Sequence, residues 1–346
     1  MSKRKILIDG RLISSRPTGI SRYCLELIKS YNIEYGEENV FVLSNRKNEK
    51  LFSNAIYTKY KPYNLLHFFL LTFWLKNSDF TLYHASTYSG LFVKLKSLPN
   101  VVTVHDVFYR IVPGFFSENV VVNFMAIVYY NLIVRASLNS ASLIFAVSET
   151  TKADVDRFFN KKSIVIPEGV NRLSPPDLLN DRKEDFFLYV GNLRKQKNIK
   201  LLIDVFSSLP DQKLVICGNS GKVEADWLSI LNIEFLGFVT DEELIHLYST
   251  CKAFIFPSLY EGFGLPVLEA LSLNSLVFSS TGGALKEFSN TNIYHFDPLD
   301  KKELVRLIKH AGMLSFDKDE AEVLLEQYSW KNVLVDMHKT IKSIHP

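Results

Sequence analysis

The sequence predicts an α/β chain of two doubly wound domains, each built on a parallel sheet. Short apolar runs of strand length alternate with helix-length segments, the pattern that parallel strands joined by crossover helices leave behind. That alternation breaks once, at Val170-Asn171-Arg172-Leu173-Ser174-Pro175-Pro176 and the polar stretch through Asp185, and then resumes. With 346 residues and 47% hydrophobic content, the chain is large enough for two domains with separate cores. The break divides it into 1–172 and 173–329, with a last segment at 330–346.

In the first domain the strand-like runs are Ile6 to Ile8, Val40 to Leu43, Thr81 to His84, Val101 to Val104, Leu143 to Val147 and Ser163 to Ile166. After the first run and Pro17, a helix is expected to begin around Thr18-Gly19-Ile20-Ser21-Arg22-Tyr23, on the apolar series Tyr23, Leu25, Leu27 and Ile28. In the second domain the runs are Phe186 to Val190, Lys213 to Cys217, Ile233 to Leu236, Ala253 to Phe256 and Leu276 to Ser279. Asp241, Glu242 and Glu243 read as the cap and first turn of a helix, where carboxylates favour the dipole. Ala253 to Phe256 ends at Pro257-Ser258, and Pro266 at a first helical position opens the series Val267, Leu268, Ala270, Leu271. Trp330 to Ile344 is amphipathic, and no short-period repeat or low-complexity tract interrupts the chain.

Composition narrows the setting. The basic start Met1-Ser2-Lys3-Arg4-Lys5 leads into too short an apolar run for a signal-peptide core, so secretion is not expected. Cys24, Cys217 and Cys251 are odd in number and far apart, which fits reduced, buried thiols and a cytoplasmic protein. Residues 1–175 hold 22 Lys and Arg against 13 Asp and Glu, and the remainder 18 against 24. Between Ile56 and Phe80, aromatic and apolar side chains mix with Lys59, Lys61 and Lys76. A helix of that kind docks on an anionic membrane surface. The uninterrupted apolar run Val120 to Val134 falls short of the roughly 20 residues that span a bilayer. Peripheral contact, on the inner face of the plasma membrane, is therefore the most that is expected. Nucleic acid is not an expected partner, because no binding motif accompanies the basic charge.

The chemistry concentrates in Tyr260-Glu261-Gly262-Phe263-Gly264-Leu265-Pro266-Val267-Leu268-Glu269-Ala270. A strand, a glycine-bearing loop and a helix follow one another here, with one carboxylate before the helix and a second about one turn inside it. Gly262 and Gly264 let backbone approach a ligand closely, and the unpaired N–H groups of the first helical turn favour an anion such as a diphosphate. With its companions elsewhere, the segment strongly resembles the retaining glycosyltransferases of family 4 over nearly the whole chain. The resemblance implies the GT-B architecture of two facing Rossmann-like domains, with the segment 330–346 crossing back onto the first. It implies that Glu261 faces the transferred sugar, that Glu269 meets the ribose, and that the backbone of Phe263, Gly264 and Leu265 lies near sugar and diphosphate.

The same resemblance carries over to other positions. Gly19 matches the family's glycine between first strand and first helix, and Arg22 beside it is a candidate phosphate or acceptor contact. His105, at the carboxyl end of its strand, would sit beside the donor sugar, with Asp106 orienting it or positioning the acceptor. Gly191 opens the second domain's basic loop, in which Lys197 matches the diphosphate lysine; Asn192 stands where some members have arginine, and Arg194 is the candidate replacement. Phe238 lies in the segment that flanks the nucleotide base. Ser148-Glu149-Thr150 and Pro167-Glu168-Gly169 match landmarks that fix register and carry little chemistry. The triplets Asp154-Val155-Asp156 and Asp317-Lys318-Asp319 lack a further ligand set, so no metal or other cofactor is expected.

The expected activity is transfer of a hexose, mannose from GDP-mannose first, from a nucleotide diphosphate sugar to a saccharide hydroxyl. Basic and aromatic character in the first half suggests a lipid-linked acceptor in bacterial surface-polysaccharide (O-antigen or capsule) assembly. A nucleotide-sugar 2-epimerase of the same architecture, or a partner subunit with a lapsed site, are the competing readings.

Overall fold

The computed structural model describes residues 4–14, 19–45, 52–173, 183–218 and 223–345. Pro17 and Thr18 ahead of the first helix, and residues 174–182 of the expected boundary, lie outside the described residues. The chain divides into two compact units, Met1–Gly169 with Trp330–Pro346, and Val170–Ser329.

The first unit runs β1 (Ile6–Asp9), α1 (Gly19–Tyr35), β2 (Val40–Ser44), β3 (Ala55–Tyr57), α2 (Leu65–Lys76), β4 (Leu82–Ala85), β5 (Asn100–Val104), α3 (Phe108–Ile111), α4 (Val120–Ser140), β6 (Leu143–Ala146), α5 (Glu149–Phe159) and β7 (Ile164–Val165). All its strands pair in parallel, in the order β3-β2-β1-β4-β5-β6-β7. Successive side chains of a strand point to opposite faces, so one strand feeds two cores. Ile6 and Ile8 join Leu27 and Tyr31 of α1 on one face, while Leu7 joins Leu71 of α2 and Leu138 of α4 on the other. Burial on both faces explains why these strands read as unbroken apolar runs.

Two expectations for this unit are corrected. The stretch Ile56 to Phe80 is not one helix. Ala55–Tyr57 pairs with β2, Lys59 and Lys61 precede the helix, and α2 begins after Asn64, whose side chain accepts the His67 N–H. Pro62 and the Asn64 cap are the local reasons, since both favour a helix start over continuation. The helix that carries the apolar run from Val120 is also longer than the run itself. Asn119 caps α4 by accepting from the N–H groups of Val121 and Val122, and the helix passes through Arg135 to reach 21 residues. A single charge ends an apolar run but not a helix, so by length and composition α4 is long enough to cross a membrane.

The second unit runs β8 (Phe186–Val190), α6 (Ile199–Phe206), β9 (Lys213–Cys217), α7 (Ala225–Leu228), β10 (Ile233–Gly237), α8 (Asp241–Thr250), β11 (Ala253–Phe256), α9 (Leu265–Ser272), β12 (Val277–Ser280), β13 (Ile293–Phe296), α10 (Lys301–His310) and α11 (Lys318–Gln327). Its parallel sheet has the order β10-β9-β8-β11-β12-β13. At α8, Thr240 and Glu243 form a reciprocal capping box, which is why the acidic turn sits there. Finally α12 (Trp330–Lys342) returns to the first unit, where Val333, Met337 and Ile341 complete the core on the α1 side. All three cysteines are buried, and burial pushes the Cys24 and Cys217 thiols up to about 12 and Cys251 to about 11. Thiols so placed are inert.

Candidate active site

In the second unit the strand order reverses between β8 and β11, and doubly wound sheets bind ligands outside the carboxyl ends of strands at such a switch point. The chain leaving β8 carries Gly191 to Lys197, and the chain leaving β11 carries Pro257 to Leu265. Structure ties the two together. The Leu259 N–H donates to the Gln196 carbonyl at 2.8 Å, and the Asn198 amide donates to the Pro257 carbonyl at 3.2 Å. Asn198 itself sits at φ +55°, a left-handed conformation that asparagine tolerates better than most residues.

Across this junction Lys197 Nζ donates to Glu261 Oε1 at 2.6 Å. Glu261 is buried, and the Lys197 ammonium also lies 5.1 Å from the centre of the Phe256 ring, so the pair is largely withdrawn from water. The Glu261 backbone is gripped separately: its N–H donates to the Gly282 carbonyl at 3.3 Å and its carbonyl accepts from the Ala284 N–H at 2.9 Å. Gly283 makes that contact possible. It lies at φ +65°, and a Cβ there would stand 2.3 Å from the Glu261 carbonyl oxygen.

Gly264 caps α9 at φ +132°, where a side chain would meet Leu285 at 2.6 Å. The Phe263 ring turns into the core, edge-on to Phe288 and Tyr328. Leu265 and Pro266 open the helix, so the backbone of the first turn is what this loop offers a ligand. Glu269 is half-buried one turn further on. Gly191 adopts φ +155° beneath Tyr189, and the Asn192 side chain accepts from the exposed Arg194 N–H at 3.1 Å. Asn192 thus shapes the basic turn. Phe238 is exposed beyond β10 and lines a separate cavity of about 460 Å³ with Leu236, Val239 and His246.

In the first unit His105 follows β5 and is buried. Its Nε2 lies 2.9 Å from the Ser86 carbonyl and its Nδ1 2.6 Å from Glu168 Oε1, with the Tyr23 ring edge-on at 4.8 Å. A carbonyl only accepts, so Nε2 carries a hydrogen, and the carboxylate calls for a second on Nδ1. Burial alone would lower the His105 pKa, but the Glu168 hydrogen bond and charge, with the Ser86 carbonyl, raise it above its ordinary value. Asp106 does not orient this ring. Its Oδ1 accepts from the Phe108 N–H at 3.0 Å and from the Tyr88 hydroxyl at 3.4 Å, which fixes the turn into α3. The residue that orients His105 is Glu168, which the sequence presents only as a register landmark. Gly19 is the exposed first residue of α1, with Arg22 half-buried one turn in.

Two family profiles divide the chain between them: that of Glycosyltransferase Family 4 matches residues 17–172, and that of glycosyl transferases group 1 matches 171–314. The chain belongs to the group 1 glycosyltransferases. It is an enzyme of the hexosyltransferase class, with the GT-B fold. O-antigen chain mannosyltransferase B of Escherichia coli is 25% identical over 378 residues, covering 95% of this chain and 97% of that protein. Serotype-specific mannosyltransferase WbdA of the same species is 30% identical over 229 residues, 57% of this chain but only 28% of the longer protein. Among solved structures, sucrose-phosphate synthase of Thermosynechococcus elongatus superposes with a TM-score of 0.75 over 99% of both chains at 17% identity, a likeness of fold.

In this glycosyltransferase several residues near the strand ends were missed by sequence reasoning. Arg11 forms a buried, two-pronged ion pair with Asp9, Nε to Oδ1 at 2.8 Å and Nη2 to Oδ2 at 2.6 Å, while its buried Nη1 has no hydrogen-bond partner among the described residues. The Asp-x-Arg spacing at the end of β1 is the signal that could have found it. Gly282-Gly283 was equally legible as a paired-glycine turn after a strand. The triplet carboxylates have structural work: Asp317 caps α11 by accepting from the Asp319 and Glu320 N–H groups, and Asp154 is buried in α5. Among the described residues no group of three or more His, Cys, Asp or Glu side chains converges as a metal site.

Proposed function

We propose that this glycosyltransferase moves a hexose from a nucleotide diphosphate sugar to a hydroxyl of a saccharide acceptor, with retention at the anomeric carbon. The observation that carries the reading is the Lys197–Glu261 pair at the switch point of the second unit, beside the amino terminus of α9. Glu261 faces the sugar, Glu269 the ribose, and Phe238 flanks the base. Lys197 swings from Glu261 toward the diphosphate as the donor enters. Lys197, Arg194 and the first-turn amides meet the charge that develops on the leaving diphosphate, so no metal is needed. On the first unit, Gly19, Arg22 and Asp106 serve the acceptor side.

The anomeric carbon–phosphate oxygen bond breaks and the acceptor oxygen forms its bond on the same face. The acceptor proton passes to the leaving phosphate oxygen. His105 supports this route indirectly, because both its ring nitrogens are engaged and neither has a lone pair to act as base. The mannosyltransferase names of two relatives support mannose as the hexose, and we propose GDP-mannose as the first donor to test and a lipid-linked saccharide of bacterial surface polysaccharide as the first acceptor.

Incubation of the protein with a panel of nucleotide sugars, with and without lipid-linked saccharide and in chelator, tests the reading. It expects acceptor-dependent release of GDP, undiminished by chelator, and an axial-retained linkage by NMR. Epimerised donor in the absence of acceptor would overturn it.

A further inference from the structure

We propose that α2 and the exposed side of α4 form one surface that lies in the plane of an anionic lipid leaflet. A helix that is apolar all round must find an apolar environment on every side. Along α4 one stripe finds it within the first unit: Ile127, Tyr130, Val134 and Leu138 pack on the core. The opposite stripe does not. Val121, Phe124, Met125, Val128 and Leu132 are all exposed, and only 17% of the helix's most apolar stretch is buried. Across α2 the division is the same, with Phe68, Leu71 and Leu75 buried and Leu66, Phe69, Leu70, Phe73 and Trp74 exposed. Scattered exposed apolar residues are ordinary; two adjoining helices that each show a full apolar face are not.

The two helices adjoin. The Tyr129 hydroxyl of α4 donates to the Tyr63 carbonyl just ahead of α2 at 2.6 Å, and the Tyr63 and Tyr130 rings lie 5.2 Å apart. The surface continues through Phe92, whose ring is tilted by 35° to that of Phe69 with centres 3.8 Å apart.

Although α4 is long enough to cross a bilayer, its attachments hold it flat. Polar contacts recur along the inward stripe: Asn123 accepts from the Phe116 N–H, Asn131 from the Tyr109 hydroxyl, and Ser137 and Ser140 from the N–H groups of Gly90 and Leu91. Crossing the membrane would strip all of these, carrying the Asn123 and Asn131 amides unpaired into hydrocarbon and leaving the Phe116, Gly90 and Leu91 N–H groups without their partners on α4. A helix that keeps one face on a folded domain and offers the other to lipid is an interfacial helix.

Charge selects the lipid. Lys59, Lys61, Lys76, Lys94 and Lys96 are exposed around α2, and between residues 57 and 96 the one acidic side chain is Asp79, which pairs with Lys5. Basic residues at this level attract anionic head groups, and the attraction is screened by salt. A second copy of the chain is disfavoured as the occupant, because a two-fold contact through the same face would bring the lysines together.

The full-length protein is floated with phosphatidylcholine vesicles with or without phosphatidylglycerol. Binding should rise at least tenfold with the anionic lipid and fall with salt. Lipids brominated near the head of the chain should quench Trp74 fluorescence. The variant Phe124→Ser/Met125→Ser, altered at exposed positions only, should lose binding while transfer to a water-soluble saccharide acceptor stays at the wild-type level. The inference is overturned by equal binding of wild type and variant, by sedimentation showing self-association through this face instead, or by resistance to alkaline carbonate, which would mean a spanning helix. None of these outcomes bears on transferase activity, which the soluble acceptor reads separately.

Discussion

Glu261 is held by two independent grips, Lys197 on the carboxylate and Gly282 to Ala284 on the backbone, and the difference between them matters chemically. The backbone grip does not depend on the ammonium, so under the proposed function a donor diphosphate can draw Lys197 away while the Glu261 backbone stays in place. Glu261 was marked by its glycine-bearing loop before a helix, and Lys197 by the family resemblance of its basic loop. Their pairing was not, because it depends on two loops brought side by side by the strand order. Histidines illustrate the same limit. His105 and His84 both sit in buried strand-end positions, yet His84 lies between two hydroxyls, those of Tyr31 and Thr103, and burial pushes its pKa down to about 3. His105, facing a carboxylate and a carbonyl, goes the other way.

The signs of linkage therefore differ. His105 binds its proton more tightly in the fold, so its contribution is complete below the ordinary value of 6.5 and is lost as pH rises through the raised folded value. His84 is neutral in the fold, so its contribution holds above 6.5 and is lost as pH falls toward about 3. Glu168→Gln should lower the His105 pKa by about one unit or more, read from the ring nitrogen shifts by NMR. An unchanged titration would show that Glu168 does not orient this ring.

Among the elements, those buried on both faces were read almost residue for residue. Phe186–Val190, Lys213–Cys217 and Ala253–Phe256 are unbroken apolar runs or nearly so, and the structure places strands there with the same ends. β3 and β13 escaped notice because Ala55–Tyr57 is short and Ile293–Phe296 carries a histidine. α2 and α4 were misjudged for one shared reason: their outward faces are as apolar as their inward ones, so periodicity carried no boundary. The Gly282-Gly283 turn is the element on which the site's backbone depends. Gly283→Ala should cost on the order of 1–3 kcal/mol, from the left-handed backbone and the clash with the Glu261 carbonyl, measured as a drop in denaturant midpoint. Gly312→Ala, where an added Cβ meets nothing within 4 Å, serves as control and should change little.

For the molecule as a whole, chain order and structural unit do not coincide, because α12 follows the second unit and belongs to the first. The family resemblance implied this crossing, while the amphipathic pattern of Trp330 to Ile344 marked the helix without saying where it packs. Truncation after Ser329 removes Val333, Met337 and Ile341 from the core on the α1 side. Loss of each such side chain costs about 2–5 kcal/mol, and a domain has about 5–15 kcal/mol in hand. The truncated chain should therefore show no cooperative unfolding of its first unit by hydrogen exchange; wild-type protection there would refute the assignment.

The donor cradle is the centre of the functional account, and calorimetric titration of nucleotide diphosphate hexoses, GDP-mannose first, tests it most directly. Glu261→Gln and Lys197→Ala should each weaken donor binding at least tenfold, about 1.4 kcal/mol, while the exposed variant Phe124→Ser binds as the wild type does. Wild-type affinity in both cradle variants would contradict the placement of the donor on the Lys197–Glu261 pair.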